Sequence, residues 1–296
     1  MLLDVSVIES LFRLQLITYL QLVGTTLLIT DWLLTIQDEV VYIWQAPWNR
    51  GTLLFFLTRY PAFADSALAV YHHVTYGLSE DQCANLFHIV GWMVGFGIWT
   101  SELIYGILIQ ALYGRTLKVR LVVALVWLSG VVASITAFES FQKSQTFVAM
   151  DIIAPSIPGC YTGGGNNTAL IPASVLLFNQ TVALILTVMK AIQHRKGSTT
   201  SLLRIFFKDG IIYYLALQAV AVAVWVTFAV HIHEYINLAM GLQRSMHSIL
   251  SARILLNLRY EASKNTVGGG ISIGDEPIDV IAFTPGSGEW SAQRDI

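Results

Sequence analysis

The sequence predicts an all-α membrane protein, a bundle of seven transmembrane helices followed by a disordered C-terminal tail. Three observations predict it. Hydrophobic residues make up 55% of the 296-residue chain and charged residues only 12%, about half the charged share of a soluble domain. Seven stretches reach the roughly 20 apolar residues that a helix needs to cross the hydrocarbon core. From Arg259 onward, Gly, Ser and acidic residues dominate, too little apolar surface to offset the entropy of ordering. The bundle is therefore expected over 1–258 and the tail over 259–296. A net charge of −2 offers no electrostatic footprint for a nucleic-acid partner. Two cysteines, Cys83 and Cys160, are too few for a cysteine-built zinc or iron–sulfur site. Neither a basic leader nor a small-residue cleavage site precedes the first apolar run, which is read as a retained span.

That first span covers Leu14 to Ile36 and is free of charge until Asp31. A short linker follows with Asp38, Glu39, Tyr42, Trp44 and Trp48. Val40, Ile43 and Trp44 share one face of a turn, and indole rings favour the headgroup level. A short interfacial helix is expected there, broken at Ala46-Pro47 because proline lacks a donor and restricts its predecessor. The second span, Gly51 to Tyr71, contains Arg59, Pro61 and Asp65. The third, Leu86 to Tyr113, carries His88, Trp92, Gly95, Trp99, Glu102 and Gly106 at helical spacing, a stripe expected to face the bundle. The fourth, Val119 to Phe138, is almost wholly apolar. A long loop, Glu139 to Asn167, holds Cys160, the Gly163–Gly165 run and the sequon at Asn166. The fifth, sixth and seventh spans are expected at Ala169–Ala191, Gly210–Val230 and Tyr235–Leu256.

Orientation follows from the basic residues, because Lys and Arg near span ends stay in the cytosol. Arg115, Lys118 and Arg120, then Lys190, Arg195, Lys196, Arg204 and Lys208, and finally Arg253, Arg259 and Lys264 lie on one side. Only Arg13 and Lys143 oppose them. The N-terminus is thus expected outside, in the plasma membrane or another membrane of the secretory pathway. Cys83, Cys160 and Asn166 then fall on the side where disulfides form and sequons are glycosylated. As the only two cysteines, Cys83 and Cys160 are expected to pair.

Charges inside spans are costly and need partners or water. Counted along the helices, Asp65 and Arg244 lie at one depth, and Arg59 lies level with Glu102 and close to Asp31. Two layers of compensating charge result: Asp65 with Arg244, and Arg59 with Asp31 or Glu102. Such pairs either hold the bundle together or mark a ligand pocket or ion path. Asn237, Gly241, Arg244, His247, Ser248 and Ser251 add a polar stripe to the seventh span, of the kind that hydrogen-bonds helices together.

Taken together, Asp31-Trp-Leu-Leu-Thr, Asp38-Glu-Val, Ile43-Trp, Trp48 and Leu57-Thr-Arg-Tyr-Pro resemble the N-terminal domain of unknown function in a large fungal family of multi-spanning proteins. The resemblance covers about 14–66, and the ending from Leu250 to Arg259 is similar to that family's last span. It implies membrane residence and no particular chemistry. Seven spans, an outside N-terminus and a cysteine pair joining span three to the loop after span four also resemble G-protein-coupled receptors in architecture. Tyr113-Gly-Arg stands where those receptors carry Asp-Arg-Tyr, and no Asn-Pro-x-x-Tyr occurs in span seven.

Motifs for catalysis are absent from the sequence: no Gly-x-Ser-x-Gly, no His-Glu-x-x-His and no phosphate loop occurs. No cofactor is expected. Five histidines map to the outer rim: His72, His73, His88, His231 and His233. They could face water, hold a zinc-like ion with nearby carboxylates, or titrate with external pH. The expected function is receptor-like or sensory. It uses an outward pocket for a small-molecule ligand, lined by spans two, three, six and seven, and a cytosolic partner at 190–209. A small-solute or proton transporter is the main rival and an intramembrane metal hydrolase the third reading. The lipid bilayer is the expected surrounding.

Overall fold

The computed structural model describes residues 5–113, 117–148, 158–194, 201–229 and 235–267. Its first helix, α1 (Val5–Glu39), buries Leu14, Ile17, Gln21, Gly24, Leu28, Asp31 and Thr35. Alternating steps of three and four residues make the narrow seam along which two helices pack lengthwise, and the last helix fills it. Leu22, Val23, Leu27, Ile29, Leu33 and Leu34 point away from the protein. The helix does not end at a separate interfacial segment. It passes into a π-turn, Val40–Trp44, closed by Gln45 N donating to Val40 O at 3.1 Å. The sequence-based break therefore falls after this turn.

The expected second span is a kinked pair. Asn49 caps α2 (Arg50–Arg59) by accepting from Thr52 N at 2.9 Å. Pro61 cannot continue the helix and instead occupies the first position of α3 (Pro61–Val74). Ser79 and Gln82 form a capping box that starts α4 (Glu80–Leu112), with Glu80 and Asp81 in the first turn complementing its dipole. The helix α5 (Leu117–Ser144) runs past Phe138 into the expected loop. The remainder of that loop is not structureless: β1 (Thr146–Val148) pairs antiparallel with β2 (Tyr161–Gly164), which takes in Gly163 and Gly164. Three more helices follow: α6 (Leu170–His194), α7 (Ser201–Ala229) and α8 (Tyr235–Val267).

Among the described residues, six segments are long and apolar enough to cross a membrane: Phe12–Trp44, Arg50–Val74, Glu80–Leu112, Leu117–Ser144, Leu170–Gln193 and Gly210–Ala229. The chain is a multi-pass, mainly α-helical membrane protein. Helix α8 is not among the six because it is too polar, yet it lies at the centre, packed against α1, α2, α3, α4 and α7. Its Gln243, Arg244, Ser245, His247, Ser248, Ser251 and Arg259 are all buried. The tail does not begin at Arg259, since α8 continues to Val267. Arg259 holds that extension by donating to Tyr42 O (2.7 Å), Asn49 Oδ1 (3.1 Å) and Thr52 Oγ1 (2.9 Å). Residues 268–296 lie outside the described residues.

Among the described residues, two larger cores and a small cluster around the disulfide fill the interior. One core joins Leu28, Ile43, Phe55, Ile104, Tyr105, Leu108, Leu217 and Leu255. The other, toward the hairpin, joins Phe138, Phe141, Ala169, Ala173, Val224 and Phe228. Cys83 and Cys160 are joined in a disulfide, Cα–Cα 5.9 Å, which ties the start of α4 to the hairpin. Gly159 allows that approach. Its φ is +98°, its N–H donates to Thr75 O at 3.0 Å, and a Cβ would stand 2.8 Å from His73 O.

The disulfide closes a loop with a sequence separation of 77. Its loss in Cys160→Ser is expected to lower stability by about 2–4 kcal/mol, read as a lower unfolding midpoint in detergent. Thiol blocking should modify the native protein only after reduction.

Candidate functional site

Asp31, Thr35 and Glu39 follow one another at four-residue intervals on α1, so a single helix face presents two carboxylates with a hydroxyl between them. Arg59, at the end of α2 and fully buried, reaches across to all three. Its Nη1 donates to Asp31 Oδ2 (2.6 Å), its Nη2 to Thr35 Oγ1 (2.8 Å) and its Nε to Glu39 Oε1 (3.0 Å). Arg253 of α8 donates to the other Asp31 oxygen at 2.5 Å. Tyr60 hydroxyl donates to Glu39 Oε2 at 3.0 Å, and Trp44 Nε1 to Tyr60 Oη at 3.2 Å. Two acids and two arginines thus balance. The sequence reading offered Asp31 or Glu102 for Arg59, and Glu102 is not a partner. Glu39, read there as a linker residue, is fully buried. Its signal was available in the 31, 35, 39 spacing.

Arg244 forms the second layer. Its Nε donates to Asp65 Oδ2 at 2.8 Å and its Nη2 to Thr58 O at 3.2 Å, with both side chains 1% exposed. The guanidinium lies over Gly97 of α4, where any Cβ would collide with it. The buried face of α4 runs through Val94, Gly97, Ile98, Ser101, Glu102, Tyr105 and Leu108. It is rotated from the expected stripe, of which His88, Trp92, Gly95, Trp99 and Gly106 are only half-buried.

Glu102 is treated differently from the other buried acids. No cation contacts it among the described residues. Gln180 of α6 donates from Nε2 to Glu102 Oε1 (3.3 Å), and the same amide lies 3.0 Å from His247 Nε2. The other imidazole nitrogen, His247 Nδ1, is buried and has no partner among the described residues. One turn on, Ser251 hydroxyl lies against His247 O and 3.2 Å from Ser101 Oγ. A polar chain therefore crosses from α4 through α6 to α8. The contact of Gln180 with Glu102, like that of Ser251 with Ser101, was not read from the sequence, since residues so distant in the chain meet only in the fold.

Two cavities meet at Glu102. The first, about 80 Å³, is walled by α4, α5, α6, α7 and α8. Trp99, Trp127, Phe138, Phe228 and several small residues line it, with Ser134, Asn179 and Gln243 as the other polar groups. The second, about 120 Å³, continues toward the opposite end past Tyr105, Gly106, Val126 and Leu186. Spans four and five, expected to stand aside, form walls, while span two does not reach the first cavity. Gly95, Gly130 and Ala173 thin the helices there. A smaller space, about 50 Å³, lies between Asp65, His72, His73 and Gly91.

Of the five rim histidines, the described ones do not simply face water. His72 and His73 are buried at 4% and 6% exposure with ring centroids 5.2 Å apart, and His88 is half-buried. His231 and His233 lie outside the described residues. Ligand atoms of His72, Cys83 and Cys160 come within 4.8 Å of one another. The two sulfurs are already bonded to each other, so this trio offers one imidazole only. At Asn166, Nδ2 donates to Ser140 Oγ at 3.3 Å and Oδ1 accepts from Thr168 Oγ1 at 2.6 Å.

Residues 19–64 match a family of unknown function, DUF6533. The match takes in Asp31, Thr35, Glu39, Arg59 and Tyr60, the ladder on α1 with its partners. No curated protein matches the chain.

Removing one member of a buried pair strands its partner. Arg59→Ala, Glu39→Ala and Asp65→Ala are each expected to cost about 3–5 kcal/mol, against under about 0.5 kcal/mol for the exposed neighbour Asp38→Ala. Gly97→Ala should also destabilise by displacing Arg244. Unfolding midpoints and folded yield in detergent check all five; an unaffected Glu39→Ala would remove the ladder from the account.

Proposed function

We propose that the protein is a receptor-like, seven-span membrane protein that binds a small molecule in the cavity beside Glu102. The observation that carries this reading is a largely apolar cavity with one buried polar wall, Glu102–Gln180–His247, attached to the central helix. Pockets for small molecules have this composition, apolar walls with a few placed polar groups that orient the ligand. Helix α8 serves as the seventh span. Its 33 residues are enough to cross the hydrocarbon core, and Asp31 and Asp65 neutralise its Arg253 and Arg244. The basic connections face the cytosol, which sets the disulfide, the hairpin and a glycan on Asn166 outside. The cavity opens on that side, and the 190–209 segment engages a cytosolic partner. The likeness to G-protein-coupled receptors and to the fungal multi-spanning family agrees with this arrangement.

A transporter is the second reading, favoured by the second cavity on the far side of Glu102. The ion pairs weigh against it. Asp31, Glu39 and Asp65 are saturated by arginines at 2.5–3.0 Å and act as fixed fastenings rather than as carriers.

Screening small molecules against the purified protein in lipid nanodiscs should yield ligands that raise the unfolding midpoint with concentration. Ala173→Phe, which fills the cavity, should abolish that shift. Ligands that still stabilise the filled variant would move the site elsewhere. Accumulation of a bound ligand inside proteoliposomes would replace the receptor reading with the transporter.

A further inference from the structure

We infer that the cavity takes a small organic cation, an ammonium group on a single-ring or short-chain body, with Glu102 as its counter-ion. This rests on the reading of the cavity as a ligand site and goes further by naming the chemistry. Among the described residues, the other buried carboxylates are each paired with an arginine. Asp31 and Glu39 share Arg59 and Arg253, and Asp65 holds Arg244. Arg259 directs Nη1 and Nη2 to a backbone carbonyl and neutral side chains. Glu102, 7% exposed, meets only a neutral amide among the described residues. A carboxyl group removed from water in this way stays neutral on its own and is held as a carboxylate only beside a positive partner, which a cationic ligand would supply.

The walls select the kind of cation. Trp99 and Trp127 border the cavity next to Glu102, and among the described residues no Lys or Arg lines it. Trp127 spends its indole N–H on Trp99 O at 3.3 Å, leaving ring surface rather than a free donor. Aromatic surface beside a carboxylate, away from water, attracts an ammonium group through its π-system as well as by charge. A hydrated inorganic ion would gain little from these apolar walls. Gln243 adds a directional element. It is 2% exposed, lines the cavity, and its Nε2 has no partner among the described residues, so a hydroxyl or ether oxygen on the ligand would satisfy it.

Benzylamine and its neutral counterpart benzyl alcohol, titrated into nanodisc-held protein with empty nanodiscs as control, test this. Benzylamine is expected to bind at least about tenfold more tightly than the alcohol, the scale of a desolvated ion pair with cation–π support. Glu102→Gln keeps the Gln180 contact and the cavity shape, and it should erase the difference. Trp127→Leu should weaken the amine more than the alcohol. Equal affinities, or a preference that survives Glu102→Gln, would overturn the cation while leaving the cavity as a ligand site. Binding of both probes that persists in Ala173→Phe, or binding of neither, would overturn the cation and the ligand site together. Should Ala173→Phe fail to fold, Ser134→Leu at the same wall serves for that arm.

Discussion

Helix α8 has to be held in the interior of a membrane bundle although it carries Arg244, His247, Ser248, Ser251, Arg253 and Arg259 along its length. Lipid tails are as apolar as leucine, so apolar packing alone gives one helix little reason to prefer another. The partners of α8 supply that reason. Asp31 on α1 and Asp65 on α3 take two arginines. The carbonyl groups of Thr58 and Tyr42 take up further guanidinium donors. Ser101 on α4 and Gln180 on α6 meet Ser251 and His247. Each contact has one geometry and one correct partner, so the polar groups determine which helix lies where and the apolar cores fill the space between.

Such an interior is stable only if its charges sum to nearly nothing. The ladder on α1 achieves this with two acids against Arg59 and Arg253, and the Asp65–Arg244 pair achieves it alone. These groups are short-ranged, saturated and mutually buried, and breaking any of them leaves a charge without a counter-ion. Glu102 stands apart because its neighbours are an amide, aromatic rings and open space. The difference separates charges that fasten the bundle from the one that could respond to something entering it.

The helices were legible because membrane spans announce themselves by length and hydrophobicity, and the depth argument brought Asp65 to Arg244 and Arg59 to Asp31. Glu39 was hidden by its position beside Asp38, Trp44 and Trp48, where a polar and aromatic run reads as a linker. Glu39 still belongs to α1, where its four-residue spacing with Asp31 and Thr35 turns it inward before the π-turn begins. The face of α4 was misjudged because tryptophans look like core residues, whereas in a membrane they serve equally well on a half-buried wall. The hairpin could not be read. Its strands are short, and its position follows from Gly159, Thr75 and the disulfide rather than from strand propensity. The extension of α8 beyond Arg259 also depends on partners far away in the chain, Tyr42, Asn49 and Thr52.

The same central helix links the two kinds of site. His247 contacts the amide that Glu102 also contacts, Arg244 is one turn away on Asp65, and Arg253 on the other side reaches Asp31. Within the described residues, a change in what Glu102 holds therefore acts first on Gln180 and His247, and α8 carries it toward two anchored arginines. Those anchors resist bending, since each arginine is fixed by a carboxylate from a different helix. A displacement at His247 is accordingly expressed as movement of α8 against its neighbours, not as local disorder. That mechanical property follows from where the fastening charges sit, and it is what the proposed receptor reading would require of the central helix.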